Sequence, residues 1–515
     1  MAGLLELLAN ELHKLDLLSW QGLSRLLAGL FALWVLQFCG NAIYYLYFSP
    51  LRHIPGPWLW IVIPGVKFAY MSRGSSEFIM RDLHDRYGEV VRVGPNALSF
   101  IRPEAWKDIY GHGHAEYPKY FPAGVNMDKR KILAADSSNH FRMRRAMLPA
   151  FSDKALLQQE PLIRVYVDLL IQKLRDQSET GQPTDMVKWY NLTTFDLIAD
   201  LAYGTSLQGL EKGKSNKWIE SIKRLLKVMP VLAFVGMMPA LATILQFLAG
   251  PQIRKSEEQH LAYVSKLAND RIHNRKQADR GDFMDFMMRS RGQPHEMSDD
   301  ELVANADLIM VAGSETTASL LSGLTYWILK TPHVLKRITE EVRDVFSADE
   351  DITFNEARSK LPYMMACLEE GLRIYPPVPL LLLRVVPDGP PVQIAGITVP
   401  EKTHVGVHQL SAYHSEANFH RAREFIPERW LSESTTDPNS PFFNDRRDVH
   451  RPFSFGPRDC IGRNLAQHEM RLILAKMLWN FDLVLDKSCD NWDDQKIFAL
   501  WEKPPLKVHI RPRAV

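Results

Sequence analysis

The sequence predicts a mainly α-helical domain with a small β portion, preceded by a single transmembrane helix near the N-terminus. Three observations predict it. Apolar residues recur at spacings of three and four through most of the chain. Strand signals are few and short. No charged residue lies between Arg25 and Arg52, in a chain in which 24% of residues are charged.

In chain order, residues 1–25 form an N-terminal segment. Within it, Leu4 to Leu18 carries apolar residues at helical spacing with Glu6, Glu11, Lys14 and Asp16 between them, the pattern of a helix lying on a membrane surface. Leu26 to Phe48 is the transmembrane anchor. Its 23 residues span ~34 Å as a helix, against ~30 Å of bilayer hydrocarbon. Tyr44, Tyr45 and Tyr47 stand where an aromatic belt would lie. The run starts too late for a signal peptide and lacks a small-residue cleavage site. Lys14 and Arg25 precede the span and Arg52 and Lys67 follow it, so charge does not fix its orientation. Residues 49–57 hold Pro50, Pro55, Gly56 and Pro57, a stiff non-helical hinge.

Residues 58–515 contain no linker or repeat and read as one domain. Helices are predicted over Leu156 to Leu174, Trp189 to Tyr203 and Trp218 to Lys227. Ser298 and Glu301 form a capping box, and the helix it opens runs to Lys330 with Pro332 just beyond. Glu89 to Val93, Ala97 to Ile101 and the Val392 to Val407 region read as short paired strands. Val228 to Ile253 is a second uncharged stretch. Pro230, Gly236, Pro239 and Pro251 argue against a second membrane span, because each interior proline removes a helix hydrogen bond. A lid that dips into the membrane or roofs a pocket is expected there.

Composition excludes several functions. The chain has 515 residues, with 62 basic and 60 acidic, a formal net charge of +2, so there is no electrostatic footprint for nucleic acid. The four cysteines, Cys39, Cys367, Cys460 and Cys489, are too few for a disulfide framework and show no C-x-x-C spacing.

One of those cysteines sits in a distinctive loop, Phe453-Ser454-Phe455-Gly456-Pro457-Arg458-Asp459-Cys460-Ile461-Gly462, followed by a helical pattern from Asn464 to Trp479. A sulfur just before a helix faces unpaired N–H groups and the positive dipole end, which favours a thiolate able to ligate metal. Gly456 permits a tight turn and Gly462 a close approach to a flat ligand. Arg458 offers a fork for a carboxylate, and Phe453 a ring face.

The F-x-x-G-x-R-x-C-x-G pattern resembles the haem-binding signature of the cytochrome P450 monooxygenases. The resemblance covers nearly the whole chain, and Tyr87 to His112 is similar to filamentous-fungal members that tailor secondary metabolites, among them mycotoxins, including the trichothecene C-15 hydroxylase type. It implies the cytochrome P450 fold, haem b as cofactor and Cys460 as the axial ligand of its iron. Glu370-Gly371-Leu372-Arg373 and Pro427-Glu428-Arg429-Trp430, with Trp for the usual Phe, imply a buried Glu370–Arg373–Arg429 network behind the haem loop. Ala312-Gly313-Ser314-Glu315-Thr316 resembles the oxygen-activation segment. There Gly313 would open a groove, Thr316 would hold water or dioxygen, and Glu315 would occupy the acid position of a proton-delivering pair. His140-Phe141-Arg142-Met143-Arg144 resembles W-x-x-x-R with His140 in place of Trp, and implies that Arg144 binds a haem propionate. Arg384 matches another propionate arginine. Alignment with the family would also place Asp307, Met310, Val311, Val378 to Leu383, Leu500 and Trp501 at the open face of the haem.

The expected activity is oxidation of a lipophilic polyketide, terpenoid or alkaloid intermediate with O2. Electrons would come from a separate NADPH-cytochrome P450 reductase, since only 53 residues follow Gly462, too few for a flavin domain. Lys129, Arg130, Lys131, Arg142 and Arg145 offer either a docking patch for that partner or a solvated face. The family implies an endoplasmic-reticulum protein with its catalytic domain in the cytosol. A non-catalytic membrane-anchored haem protein, for gas sensing or electron transfer, is the alternative, which product formation from O2 would exclude.

Overall fold

The structure is a computed structural model describing residues 20–122, 127–214, 217–273 and 280–513. The surface helix expected over Leu4 to Leu18 lies outside the described residues.

Helix α1 (Trp20–Ile43) continues through a π-helical turn at Tyr44–Phe48. The 29-residue stretch Trp20–Phe48 is long and apolar enough to cross a membrane, the one such helix among the described residues. Of α1 only Gly22 is buried. The helix therefore begins six residues before the expected span and takes in Ser24 and Arg25. The expected hinge is part of the domain rather than a free spacer. Leu51 and Ile54 are buried in the same core as Phe100 and Val405. The Arg92 backbone N–H donates to the Pro55 carbonyl at 2.8 Å, and Arg92 Nη1 donates to the Tyr45 carbonyl at 2.8 Å. A Cβ on Gly56 would lie 2.0 Å from the Arg92 carbonyl oxygen, so only glycine fits this contact.

The helices that frame the interior follow in order: α2 (Trp58–Val62), α3 (Pro64–Ser72), α4 (Ser76–Tyr87), α5 (Ser137–Met147), α6 (Asp153–Ser178), α7 (Met186–Tyr203), α8 (Lys217–Gly236), α9 (Pro239–His273), α10 (Asp299–Lys330), α11 (Pro362–Ile374) and α12 (Arg463–Asn480). Strands β1 (Val90–Gly94), β2 (Ala97–Phe100), β4 (Arg384–Val385) and β7 (His404–Val407) make one mixed sheet in the order β1-β2-β7-β4. β2 and β7 pair in parallel, so the Val392–Val407 region is not one meander. Its first two strands, β5 (Val392–Ile394) and β6 (Ile397–Val399), form a separate hairpin. β3 (Thr184–Asp185), β8 (Phe481–Leu485) and β11 (Lys507–Pro512) form a second sheet, and β9 (Lys496–Phe498) pairs with β10 (Leu500–Glu502).

The core centres on α10. The Ser298 side chain accepts from the Glu301 N–H and Glu301 reaches back to Ser298, the expected capping box. α7 is buried along nearly its whole length and lies against α10. A Cβ on Gly313 would sit 3.0 Å from Ile198 of α7, so this glycine sets a close approach of two helices.

The second apolar stretch contains no candidate membrane span among the described residues, as expected, although its prolines do not all break helices. Pro230 lies inside α8, and α9 runs on through Pro251. The break falls between them, at Met237 and Met238. Each proline forfeits one backbone bond, and packing offsets the loss, as where Phe234 of α8 lies on Phe68 of α3 with ring centroids 6.1 Å apart.

Candidate active site

A cavity of about 900 Å³ lies between α10 and the Cys460 loop and reaches past Leu380–Leu383 to α3. The loop is held rigidly. The Cys460 N–H donates to the Phe453 carbonyl at 2.9 Å, and the Asp459 N–H to the Gly456 carbonyl at 3.1 Å. Gly456 has φ +80°, and a Cβ there would lie 1.8 Å from the Tyr110 carbonyl oxygen. Gly462 caps α12, and a Cβ on it would stand 4.0 Å from Cys460 Sγ. Phe453, Cys460 and Gly462 all face the cavity. The sulfur is exposed only toward that space. Burial pushes the Cys460 thiol up, against the Gly462 N–H, Arg463 and Arg144. The thiolate bias expected from the helix start is therefore present but outweighed by desolvation. Among the described residues no group of three His, Cys, Asp or Glu side chains could hold a bare metal ion. A metal at Cys460 must bring its other ligands with it.

Opposite the loop, Ala312, Gly313, Thr316 and Thr317 of α10 line the cavity. The Thr316 hydroxyl donates to the Ala312 carbonyl at 2.6 Å. Glu315 does not share this face. Its buried carboxylate pairs with Lys503, whose ammonium also donates to Ser319 Oγ at 2.5 Å. The expectation of an acid beside Thr316 is corrected: successive helix positions lie 100° apart, and Glu315 turns toward the C-terminal segment.

Cations gather at one side. Arg384 and Arg458 line the cavity and share one carboxylate, Glu116, with Arg384 Nη1 at 3.7 Å. Arg458 also donates to the Ala135 carbonyl at 2.8 Å, and Arg384 to Tyr117 at 3.1 Å. His140 is buried beside them. Burial, with Arg458, Lys119, Arg144 and Arg384 around it, pulls its pKa down to about 3. So much positive charge against a single acid fits a ligand carrying carboxylates. Arg144 corrects its expectation. It donates to the Asp459 carbonyl at 2.8 Å and to Asp459 Oδ1 at 2.5 Å, clamping the cysteine loop instead of lining the cavity.

Behind the loop, Glu370, Arg373 and Arg429 are fully buried. Arg373 grips Glu370 through two bonds of 2.8 Å, and Arg429 reaches Glu370 at 3.2 Å and Asp445 at 2.6 Å. Trp430 Nε1 donates to Glu370 Oε2 at 2.8 Å, a bond that the family's usual Phe cannot make. The Trp430 ring contacts His450, three residues before Phe453.

Other expectations fare unevenly. Val378 and Leu380 to Leu383 line the cavity as expected, and so do Met229, Pro230, Ala233 and Met237 of the second apolar stretch, which roofs it. Asp307, Met310, Val311, Leu500 and Trp501 do not line it. Asp307 instead pairs with Lys131 at 2.6 Å and His260 at 3.1 Å, and Trp501 donates to the Pro376 carbonyl at 2.7 Å. The expected basic docking patch is largely spent internally, on Arg130–Asp128, Lys131–Asp307 and Arg142–Glu301. Sequence reading missed Glu116, Lys119, Ile198 and Asp459. Each reaches the site through a contact distant in sequence, and only Asp459, inside the loop motif, carried a local signal.

The loop, the cavity and the cationic side together define a haem-thiolate enzyme. The family model described as Cytochrome P450 matches residues 54–510, and the chain belongs to that family. Over 473 residues it is 45% identical to the trichothecene C-4 hydroxylase of Trichoderma arundinaceum, covering 92% of this chain and 94% of the relative. It is 44% identical over 505 residues to the cytochrome P450 monooxygenase dtxS2 of Metarhizium robertsii, covering 97% of each. It is also 40% identical over 517 residues to the averantin hydroxylase of Dothistroma septosporum, covering 98% of this chain and 95% of the relative. The chain is thus a cytochrome P450 monooxygenase with relatives among fungal secondary-metabolite hydroxylases. The trichothecene relative is named for C-4, where the sequence resemblance pointed to the C-15 type.

Proposed function

We propose that this chain hydroxylates, or otherwise oxidises, a lipophilic secondary-metabolite intermediate, a polyketide, terpenoid or alkaloid. The supporting observation is that Cys460 lines a large, mainly apolar cavity whose wall also includes Gly313 and Thr316. Haem b bound there supplies activation of O2 for insertion of one oxygen atom into a C–H bond, the other leaving as water. Cys460 holds the iron, and Phe453, Gly456 and Gly462 shape the loop that receives the ring. Arg384 and Arg458 bind the propionates, exchanging Glu116 for them. His140 packs beneath this charge, and Arg144 fixes the loop through Asp459. Gly313 lets α10 approach α7, and the Thr316 hydroxyl moves protons into the cavity. Glu315 acts at one remove, by positioning the C-terminal segment through Lys503. The Glu370–Arg373–Arg429 network keeps the loop in place.

In this reading residues 1–25 precede the membrane, 26–48 anchor, 49–57 turn the chain and 58–515 form the oxidising domain. Two electrons come from NADPH through a separate cytochrome P450 reductase, and the two protons that complete the water come from solvent. The anchor sits in the endoplasmic reticulum membrane and the domain in the cytosol, a reducing compartment in keeping with the unpaired Cys367, Cys460 and Cys489. The test is the carbon monoxide difference spectrum of the reduced protein, which shows the thiolate-ligated Soret band and loses it in Cys460→Ala. Retention of the band in that variant overturns the assignment of Cys460. Thr316→Ala is expected to consume NADPH without matching product, and unchanged coupling overturns its proton role.

A further inference from the structure

Lys67 differs from every other cation in the cavity wall. Lys119 donates to the Leu133 carbonyl at 2.9 Å, and Arg384 and Arg458 share Glu116. Lys67, on α3, makes no ion pair or hydrogen bond to a described residue. Its Nζ lies 5.8 Å from the centroid of the Trp60 ring. The carboxylate nearest in charge, Glu77, is already engaged: His408 Nε2 lies 2.6 Å from Glu77 Oε2, and Ser76 donates to Glu77 Oε1 at 2.6 Å.

The surroundings of Lys67 are those of a pocket, not a solvated face. Trp60, Phe68, Met71 and Met80 line the same part of the cavity. Burial lowers the Lys67 pKa against the pull of Glu77, and Lys67 in turn helps hold His404 low, after burial. The charges that bear on Lys67 are thus Glu77 and His404, whereas Lys119 feels Arg384, Arg458 and Glu116. The cations of the cavity wall therefore fall into two sets by their partners. One adjoins the Cys460 loop and suits the propionates. The other has no assigned anion, and a half-buried ammonium among apolar side chains keeps only part of its hydration.

Resting on the proposed oxidation in this cavity, we infer that Lys67 is a specificity-determining residue that binds a carboxylate of the substrate, so that the preferred substrate is a lipophilic acid. The salt bridge would form in apolar surroundings, where it is stronger than in water, and would fix which carbon of the apolar body reaches the iron. An anionic oxygen could also come from a phospholipid phosphate, since α3 follows the anchor closely. The place of Lys67 in the wall of the same cavity as Cys460 and Thr316 favours the substrate.

The haem-loaded full chain in phospholipid-free detergent would be titrated calorimetrically with dodecanoic acid and abietic acid, each against its methyl ester. Wild type is expected to bind each acid at least about 10-fold more tightly than its ester. Lys67→Met should bring that ratio to about one by weakening the acid alone, and Lys67→Arg should keep most of it. No preference in wild type, or an equal preference in Lys67→Met, overturns the inference. Repeating the titration in phosphatidylcholine nanodiscs separates the two anions. A ratio that survives supports the substrate carboxylate, and one that vanishes assigns Lys67 to the lipid phosphate and overturns the inference. The carbon monoxide band of the same samples reports the haem reading separately: a normal band with no acid preference refutes the Lys67 role alone.

Discussion

Two buried charge clusters lie on either side of the cysteine loop, and they differ in balance. Around Glu370, two arginines face two acids, Glu370 and Asp445. The Arg373 fork is filled further by the carbonyls of Tyr413, Ala422 and Glu424. Around Glu116, two arginines and Lys119 share a single acid, beside a His140 that burial keeps neutral. The balanced cluster has nothing left to bind, so it can only hold structure. The unbalanced one keeps positive charge aimed at the cavity, which marks a ligand site. Both look alike in sequence, as arginines near prolines and glycines.

The largest expected effect comes from unbalancing the closed cluster. Glu370→Ala leaves Arg373 and Arg429 buried against each other and removes acceptors for Trp430 and the Ile426 N–H. A loss of about 3–5 kcal/mol is expected, enough to prevent recovery of folded, haem-loaded protein. Thermal unfolding and Soret absorbance of the purified variant check this. A stable variant would show that the cluster does not hold the loop.

A third buried carboxylate extends the comparison to an acid with no cation at all. Glu469 of α12 is fully buried, and neither of its oxygens has a hydrogen bond of normal geometry. Burial raises its pKa to about 8, and nearby Thr317 only partly offsets this. An acid raised in the folded state is protonated in both states below its unfolded value of 4.5, so it costs nothing there. The penalty grows as pH rises from about 4.5 to about 8 and is constant above, reaching about 3 kcal/mol at pH 7. Glu469→Gln should match wild type near pH 5 and be the more stable at pH 8, as read from urea midpoints. Equal midpoints at both pH values would show that Glu469 finds a partner in solution.

The open cluster makes a smaller, signed prediction. Glu116→Gln removes the carboxylate that Arg384 and Arg458 share. The haem-free chain should lose about 1–3 kcal/mol, the cost of stranding buried charge. The haem-loaded protein should lose less, because the propionates take over, and haem transfer to apomyoglobin should slow. Equal losses with and without haem would make this cluster closed scaffolding like the first.

What could be read from sequence follows from distance along the chain. The Ser298–Glu301 box, the β1–β2 hairpin and the glycine at Gly456 rest on neighbours a few residues apart, and the structure contains all three. The direction of Glu315 depends on Lys503, 188 residues away, and the restraint of Arg458 on Glu116, 342 residues away. No spacing rule encodes such pairs. Pro230 pointed rightly away from a second membrane span yet does not end α8, because propensity is local, whereas the packing that carries α8 past its proline comes from α3. Arg144 and Arg384 both matched propionate positions, yet only Arg384 reaches the cavity wall. Asp459, inside the motif itself, was the residue that could have told them apart.

The smallest expected effect tests whether burial, and not pairing as such, separates the clusters. Lys336 and Glu340 pair at 3.9 Å on an exposed helix face, with side chains 76% and 60% exposed. Water screens this attraction, and holding two long side chains together costs entropy that nearly cancels it. Lys336→Ala should shift stability by no more than about 0.5 kcal/mol, a change of at most ~1–2 °C in melting temperature for a chain of this size. A shift approaching that of Glu370→Ala would mean that charge balance matters wherever a pair occurs, and the contrast between the two buried clusters would lose its basis.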